Sequence, residues 1–576
     1  MAGGGDHAEW NLLRDGQYSK RLIQLLAIRG MVANSRADLD RKAEFDRSYR
    51  ALAIVQRHAP GAVAEILRGP QVGAWAAWCL RRLGHGEAGD NTPLWVHLAH
   101  LGSIAAAAAI RSGASLQVRV PARAGAVLLP SVGRAAGQRG DDWALIECTV
   151  GAGGLLLDGK APALWTPVRS LRTRAGGTTL EVQLDDMDPY WQVFGLPLRN
   201  QLDDGEFDRW QDRLTATWNI LAERHPHRLD TMAAAVRCLV PVEQAGRFGR
   251  VSASSADAAG AIALTEPTNP TRLAATLIHE SQHYRLAALH DLRPLYDQSP
   301  RDLLYSPWRN DPRPLSGVVH GIQAFLGVAD FWLREPFDPI ANLEYTRHAA
   351  QLRIATRVLA GAKGLTPLGR ALTESFRAAI DRLPTDVGTS EVRRIADDLV
   401  AEHQASWRLR NVVPDEKDLH ATVRDWQAGG PLLLRESPGE VVPGEPGGDN
   451  PLTRLAMAWL DNPAEVRTLA GSPAEFTTRF PGARPADLHL LAGDYPTARA
   501  ETLSKIEAGT ATERDWATLT VAHAGLCADP SRSPLVRHPE LVWAAHTLLT
   551  PGPATTLAEL LSHYEAGTST SDSIRR

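Results

Sequence analysis

The chain has 576 residues, a formal net charge of −4 and 22% charged residues. That length allows several domains with sizeable cores, and the near-neutral balance lacks the concentrated basic patch that nucleic-acid binding needs. Its four cysteines, Cys79, Cys148, Cys238 and Cys527, lie far apart and form no Cys-x-x-Cys pair, which argues against a zinc knuckle and a disulfide framework.

Residues 1–15 carry charges and no apolar run, so they do not read as a secretory signal. Residues 1–114 read as helices, with apolar positions at three- and four-residue spacing in 17–34 (Leu22, Leu25, Leu26) and 45–58 (Tyr49, Leu52, Val55). The most apolar stretch, 94–110, contains His97 and His100 and is rich in Ala rather than Leu, so a buried helix is expected and not a membrane span. A cytoplasmic protein follows from these features.

From Ser115 the period changes to two: Leu116, Val118 and Val120 alternate with polar residues, and 126–129, 143–150, 154–158 and 180–184 continue as short strands between Gly- and Pro-rich turns. Residues 115–190 therefore form a β-rich module, read as a scaffold in preference to a peptide-docking sheet. Residues 191–427 return mostly to helix and form the expected catalytic domain. Within it 207–224 is amphipathic, with Asp203 or Asp204 as its cap, and 250–255 and 260–264 read as two strands whose edge could pair with an extended peptide. Residues 428–450 are a Gly/Pro-rich linker. Residues 451–576 are helical, and 486–506 with 513–526, turning at Gly493-Asp494-Tyr495, weakly resemble a tetratricopeptide unit that could dock a partner protein. An ordinary helical tail reads equally well. The expected fold class is α+β and mostly helical, with an HExxH metal-binding helical core.

That core is the sequence Ala274-Ala275-Thr276-Leu277-Ile278-His279-Glu280-Ser281-Gln282-His283. Two His at i and i+4 share one face of a helix, so both imidazoles can reach one metal ion. Asn269 suits the N-cap, Pro270 the first turn, and no Gly or Pro interrupts before Pro294. The plain alternative is a helix whose histidines merely pack or face solvent.

A third ligand has to come from another element. His290, eleven positions after His279, is displaced by about 16 Å along a helix axis. Downstream, His320 sits among Gly317, Gly321 and Ala324 in a helix that Pro314 and Ser316 can start; the two glycines cost helix propensity, which close approach to the HExxH helix would explain. Glu335 and Glu344 are the carboxylate candidates. Between them and the motif lies Tyr305-Ser306-Pro307-Trp308-Arg309-Asn310-Asp311-Pro312-Arg313-Pro314, an irregular Pro-fixed segment with two Arg able to grip a carboxylate through paired hydrogen bonds.

His279-Glu280-Ser281-Gln282-His283, residues 289–295, Tyr305-Ser306-Pro307-Trp308-Arg309, Arg313-Pro314-Leu315 and His320-Gly321 with Ala324-Phe325-Leu326-Gly327 resemble the HExxH-type 2-oxoglutarate-dependent (α-ketoglutarate-dependent) peptide β-hydroxylases. Ser252-Ala253-Ser254, 257–264 and Gly195-Leu196-Pro197-Leu198 fit as well, so the resemblance covers about residues 190–335. It implies an Fe(II) enzyme that uses 2-oxoglutarate and O2 to oxidise a β-carbon of a ribosomally made precursor peptide. It further implies His279, His283 and His320 as iron ligands, Glu280 behind them rather than as a base, and Arg309, or in reserve Arg313, on the co-substrate carboxylate, with Tyr305 and Ser306 nearby. The competing reading is a zinc metallopeptidase with Glu280 as general base and Glu335 or Glu344 as third ligand. A third is a non-catalytic binding protein.

Overall fold

The computed structural model describes residues 7–35, 37–85, 91–136, 143–199, 201–244, 251–297, 302–335, 338–428, 439–444 and 450–549. The fold is α+β, mostly helical with small sheets. The chain divides into two compact units, Gly3–Pro294 and Leu295–Arg576. That division falls within the 191–427 span expected from the sequence.

In the first unit the N-terminal helix runs His7–Ala33, ten residues earlier than the apolar spacing indicated, and Phe45–His58 forms as read. Leu94–Ser112 is long and apolar enough to cross a membrane, and 78% of its apolar window is buried inside the protein. Gly102 explains how it packs: a Cβ there would lie 2.2 Å from the Arg119 carbonyl oxygen, so only glycine lets the helix backbone meet the strand Leu116–Arg123. That strand alternates buried Leu116, Val118 and Val120 with exposed Gln117 and Arg119, the signature of a half-buried surface.

The β-rich region contains more strands than the alternation revealed. Gly133–Ala136, Leu164–Pro167 and Arg169–Ala175 add to the expected set. One three-stranded sheet joins Leu116–Arg123, Trp143–Gly151 and Gly154–Leu157; another joins Val127–Leu129, Gly133–Ala136 and Leu164–Pro167. The remaining strands of the module enter a five-stranded sheet ordered Ser252–Ser254, Ala261–Leu264, Cys238–Pro241, Thr178–Leu184, Arg169–Ala175. Its outer pairs are antiparallel and its two inner pairs parallel. The sheet therefore spans residue 190, where the sequence reading placed a boundary.

Parallel pairing requires a crossover, and the helix Asp204–Arg224 supplies it. Asp203 and Glu206 form a reciprocal capping box at its start, and Trp210, Leu214 and Trp218 bury its inner face. The motif helix, Pro270–Leu292, follows the last strand directly.

The second unit is a helical assembly. Leu315–Leu333 packs on Pro339–Ala360, which in turn packs on Ser390–Asn411. A core of Leu343, Ile395, Leu455, Trp459 and Leu490 joins Ser390–Asn411 to the C-terminal helices. The expected repeat pair consists of three helices, Pro485–Ala492, Tyr495–Glu507 and Glu513–Leu526, because Gly493 turns the chain at φ 74°. Of the expected linker, residues 429–438 and 445–449 lie outside the described residues; Glu440–Val441 between them pairs with Val412–Val413.

Candidate metal centre

The motif helix forms for local reasons that are now visible. The Asn269 side chain accepts from the Arg272 amide at 3.0 Å, and Pro270 occupies the first turn, where its missing N–H costs nothing. Leu273, Leu277 and Ile278 are fully buried and fix which face turns inward. The helix is also tied to the N-terminal helix: Arg285 Nε donates to Glu9 at 2.7 Å, Gln17 Nε2 and Lys20 Nζ each reach Asp291 at 2.8 Å, and Trp10 packs against Tyr284. Nothing in the sequence pattern linked residues 7–33 to the motif.

His279 and His283 converge. Their Nε2 atoms lie 3.0 Å apart and their rings meet edge to face, 82° between planes. Two ring nitrogens this close need a proton or a cation between them, since two lone pairs repel. Metal–nitrogen bonds of about 2.0–2.1 Å put two neighbouring ligands about 3 Å apart, so the spacing fits a shared ion. Burial pushes the His279 pKa down, against the opposing charge of Glu280, and so favours the neutral ring that a metal requires.

Glu280 is 100° further round the helix and faces elsewhere. It is 3% exposed, and its two carboxylate oxygens accept separate hydroxyl bonds, from Ser252 Oγ at 2.8 Å and Ser254 Oγ at 2.6 Å. Residues i and i+2 of a strand share a face, so Ser252–Ser254 presents both hydroxyls to the helix and turns Ala253 away. This strand is at the edge of the five-stranded sheet, with Ala261–Leu264 its neighbour among the described strands. The Ser-Ala-Ser pattern was the signal in the sequence, although the residues it would contact were not evident from it.

The chain matches no protein-family model and no curated protein.

The other expected site residues belong to the second unit. His320 is half-buried near the start of Leu315–Leu333. The glycines beside it have a different role from the one expected. A Cβ on Gly321 would lie 2.8 Å from Trp308, and one on Gly317 would lie 3.1 Å from Arg313 Nε. Both glycines thus admit side chains of the loop that precedes their own helix, which accounts for the lost propensity. Trp308 then stacks flat on Phe325, with ring centroids 4.5 Å apart.

That loop is closed and anchored. Leu304 and Arg313 exchange backbone hydrogen bonds of 2.7 and 2.9 Å. Gln351 Nε2 donates to the Pro307 carbonyl at 2.7 Å, and Asn411 Nδ2 to that of Asn310 at 2.9 Å. Tyr305 OH lies 2.9 Å from His403 Nδ1, and Ser306 is buried. Burial, helped by the charges of Arg347 and Arg410, pushes the His403 pKa down to about 4, so the ring is neutral near pH 7 and can accept a hydrogen bond from the phenol O–H. Arg309 and Arg313 share one carboxylate: Arg309 Nε is 2.9 Å from Asp311 Oδ1 and Arg313 Nη1 is 3.0 Å from Oδ2. Burial works to raise the Asp311 pKa, but the hydrogen bonds from the two arginines outweigh it and hold it below the ordinary value. Two guanidiniums on one carboxylate leave one net positive charge and several unused N–H groups.

Of the alternative carboxylates, Glu344 is buried and paired within its own helix to Arg347 and to His348 Nε2 at 3.5 Å, and Glu335 is buried just past Leu333. Among the described residues no group of three or more His, Cys, Asp or Glu side chains is gathered closely enough to hold a metal ion.

Proposed function

We propose that the protein is an Fe(II)- and 2-oxoglutarate-dependent dioxygenase that hydroxylates a β-carbon in a ribosomally made precursor peptide, as the resemblance implies. The observation that carries this reading over the peptidase is the state of Glu280. A peptidase base must reach the metal-bound water, whereas both oxygens of this carboxylate are occupied by Ser252 and Ser254. Held there, Glu280 fixes the rotation of the motif helix and places negative charge behind the histidines.

In this reading His279 and His283 supply two ligands to the iron, and His320, which rests on the resemblance alone, supplies the third. Bound Fe(II) with 2-oxoglutarate would supply the activation of O2 and the insertion of one oxygen atom. The chain's own residues bind and orient. The guanidinium pair of Arg309 and Arg313 carries one net positive charge suited to the co-substrate carboxylate, with Asp311 setting the plane of both forks. The edge strand Ser252–Ser254 offers backbone groups to an extended peptide. A cytoplasmic setting and recruitment of a partner by the C-terminal helices complete the proposal.

The test is to incubate the protein with Fe(II), ascorbate, 2-oxoglutarate and the precursor peptide encoded beside it. A gain of one oxygen by the peptide with matching succinate is the expected result. A cleaved peptide formed without any need for 2-oxoglutarate would establish the peptidase instead.

A further inference from the structure

A cleft of about 280 Å³ opens in the first unit, lined by residues from seven separated stretches, among them Arg14, Glu65, Gln71, Arg111, Glu181 and Arg237. It shares no residue with the histidine pair.

The polar groups of the cleft are incompletely matched. Arg14 makes no hydrogen bond or ion pair among the described residues, and its Nε is buried. Arg111 gives Nη2 to the carbonyl and hydroxyl oxygens of Ser131, at 2.8 and 3.4 Å, and keeps its remaining N–H groups. Arg237 Nη2 is 2.9 Å from Glu65 Oε2, and Gly260 makes room for its stem, since a Cβ there would lie 3.3 Å from Arg237 Cγ. Burial lowers the Arg111 pKa, and the nearby charge of Arg237 lowers it further, against Glu65 and Glu181.

Gln71 is the second observation. It is 1% exposed, and its Nε2 donates to Gln183 Oε1 at 3.0 Å and Asp185 Oδ2 at 2.9 Å. Two acceptors on one nitrogen fix the amide orientation, and Oε1 is left without a partner. A buried acceptor left unmade costs about 1–3 kcal/mol, which a donor on a ligand would recover.

Three guanidiniums and two carboxylates leave the lining with one net positive charge. That balance suits a single carboxylate and opposes a phosphate dianion. Gln71 Oε1 lacks a donor, which an N–H group beside that carboxylate would supply. We propose that this cleft binds a carboxylate with an amide N–H beside it: an acidic residue of a peptide, or a free N-acyl amino acid.

The experiment titrates full-length protein with acetyl-Ala-Glu-Ala-amide, with N-acetylglycine and with inorganic phosphate, reading binding by saturation-transfer NMR. Either carboxylate probe should bind more tightly than phosphate, and the tighter of the two identifies the source. Arg14→Gln should weaken that probe about tenfold through loss of a charged hydrogen-bond fork. Glu181→Gln, on the exposed face of its strand, should tighten it about threefold by removing a like charge, an effect misfolding cannot produce. The proposal fails if neither carboxylate binds, if phosphate binds best, or if Glu181→Gln does not tighten binding.

Discussion

Two pairs of histidines sit on single helices of the first unit, and they differ in every respect that matters for chemistry. His97 and His100 on Leu94–Ser112 are buried among Trp75, Trp78 and Tyr190: His97 Nδ1 meets Tyr190 OH at 3.1 Å, and the His100 ring packs on Tyr190 and Trp75. Burial, with the charge of His97 second, pushes the His100 pKa down to about 3. His279 and His283 instead turn their nitrogens to each other at 3.0 Å, with a serine-bound carboxylate alongside. The contrast teaches that two histidines on one helix face make a candidate metal centre only when their ring nitrogens converge and a polar neighbour holds the helix. Otherwise aromatic packing uses them as core.

The largest effect expected from breaking this contrast is on activity. His279→Ala and His283→Ala should each abolish peptide hydroxylation and stoichiometric Fe(II) uptake, read by product mass and metal analysis. His97→Ala should leave both in place and cost about 1–3 kcal/mol of stability, read from the urea midpoint. Glu280→Gln sharpens the reading of the acid. As a positioning residue it should keep iron and part of the activity, with Ser252→Ala and Ser254→Ala acting in the same direction, each at about 1–3 kcal/mol. A peptidase base would instead show full metal and no turnover.

One side of this comparison was more legible in the sequence than the other. The motif helix, its Asn269 cap and the serine strand were legible because cap chemistry, i/i+4 spacing and period-two alternation are local. The aromatic surroundings of His97 and His100 were not, because Tyr190 and Trp75 come from elements distant in sequence. The same limit hid Arg169–Ala175, whose exposed Arg172 and Arg174 break any apolar run, and the sheet that joins it to the strands before the motif. Gly317 and Gly321 were noticed for the right reason, their propensity cost, but their neighbours Arg313 and Trp308 come from a loop whose path the sequence does not state.

A smaller effect concerns acid stability. His100 has a folded pKa of about 3 against about 6.5 unfolded, so the unfolded chain binds the extra proton between these values. Its contribution is complete above about pH 6.5 and declines as pH falls toward 3. His100→Asn should therefore flatten the loss of stability over that window by up to about 1.4 kcal/mol per pH unit, measured by urea titration at several pH values. Smaller still is Gly321→Ala. The new methyl would push on Trp308 at a cost of about 1–3 kcal/mol, partly offset by about 1 kcal/mol of helix propensity, and the net loss is read from thermal unfolding.

The most direct test is Fe(II) titration under anaerobic conditions of the wild-type chain beside His283→Ala and His97→Ala. One iron per chain in the wild type and in His97→Ala, and none in His283→Ala, is the predicted result. Equal binding by all three, or loss only in His97→Ala, would contradict the claim that the HExxH pair holds the metal.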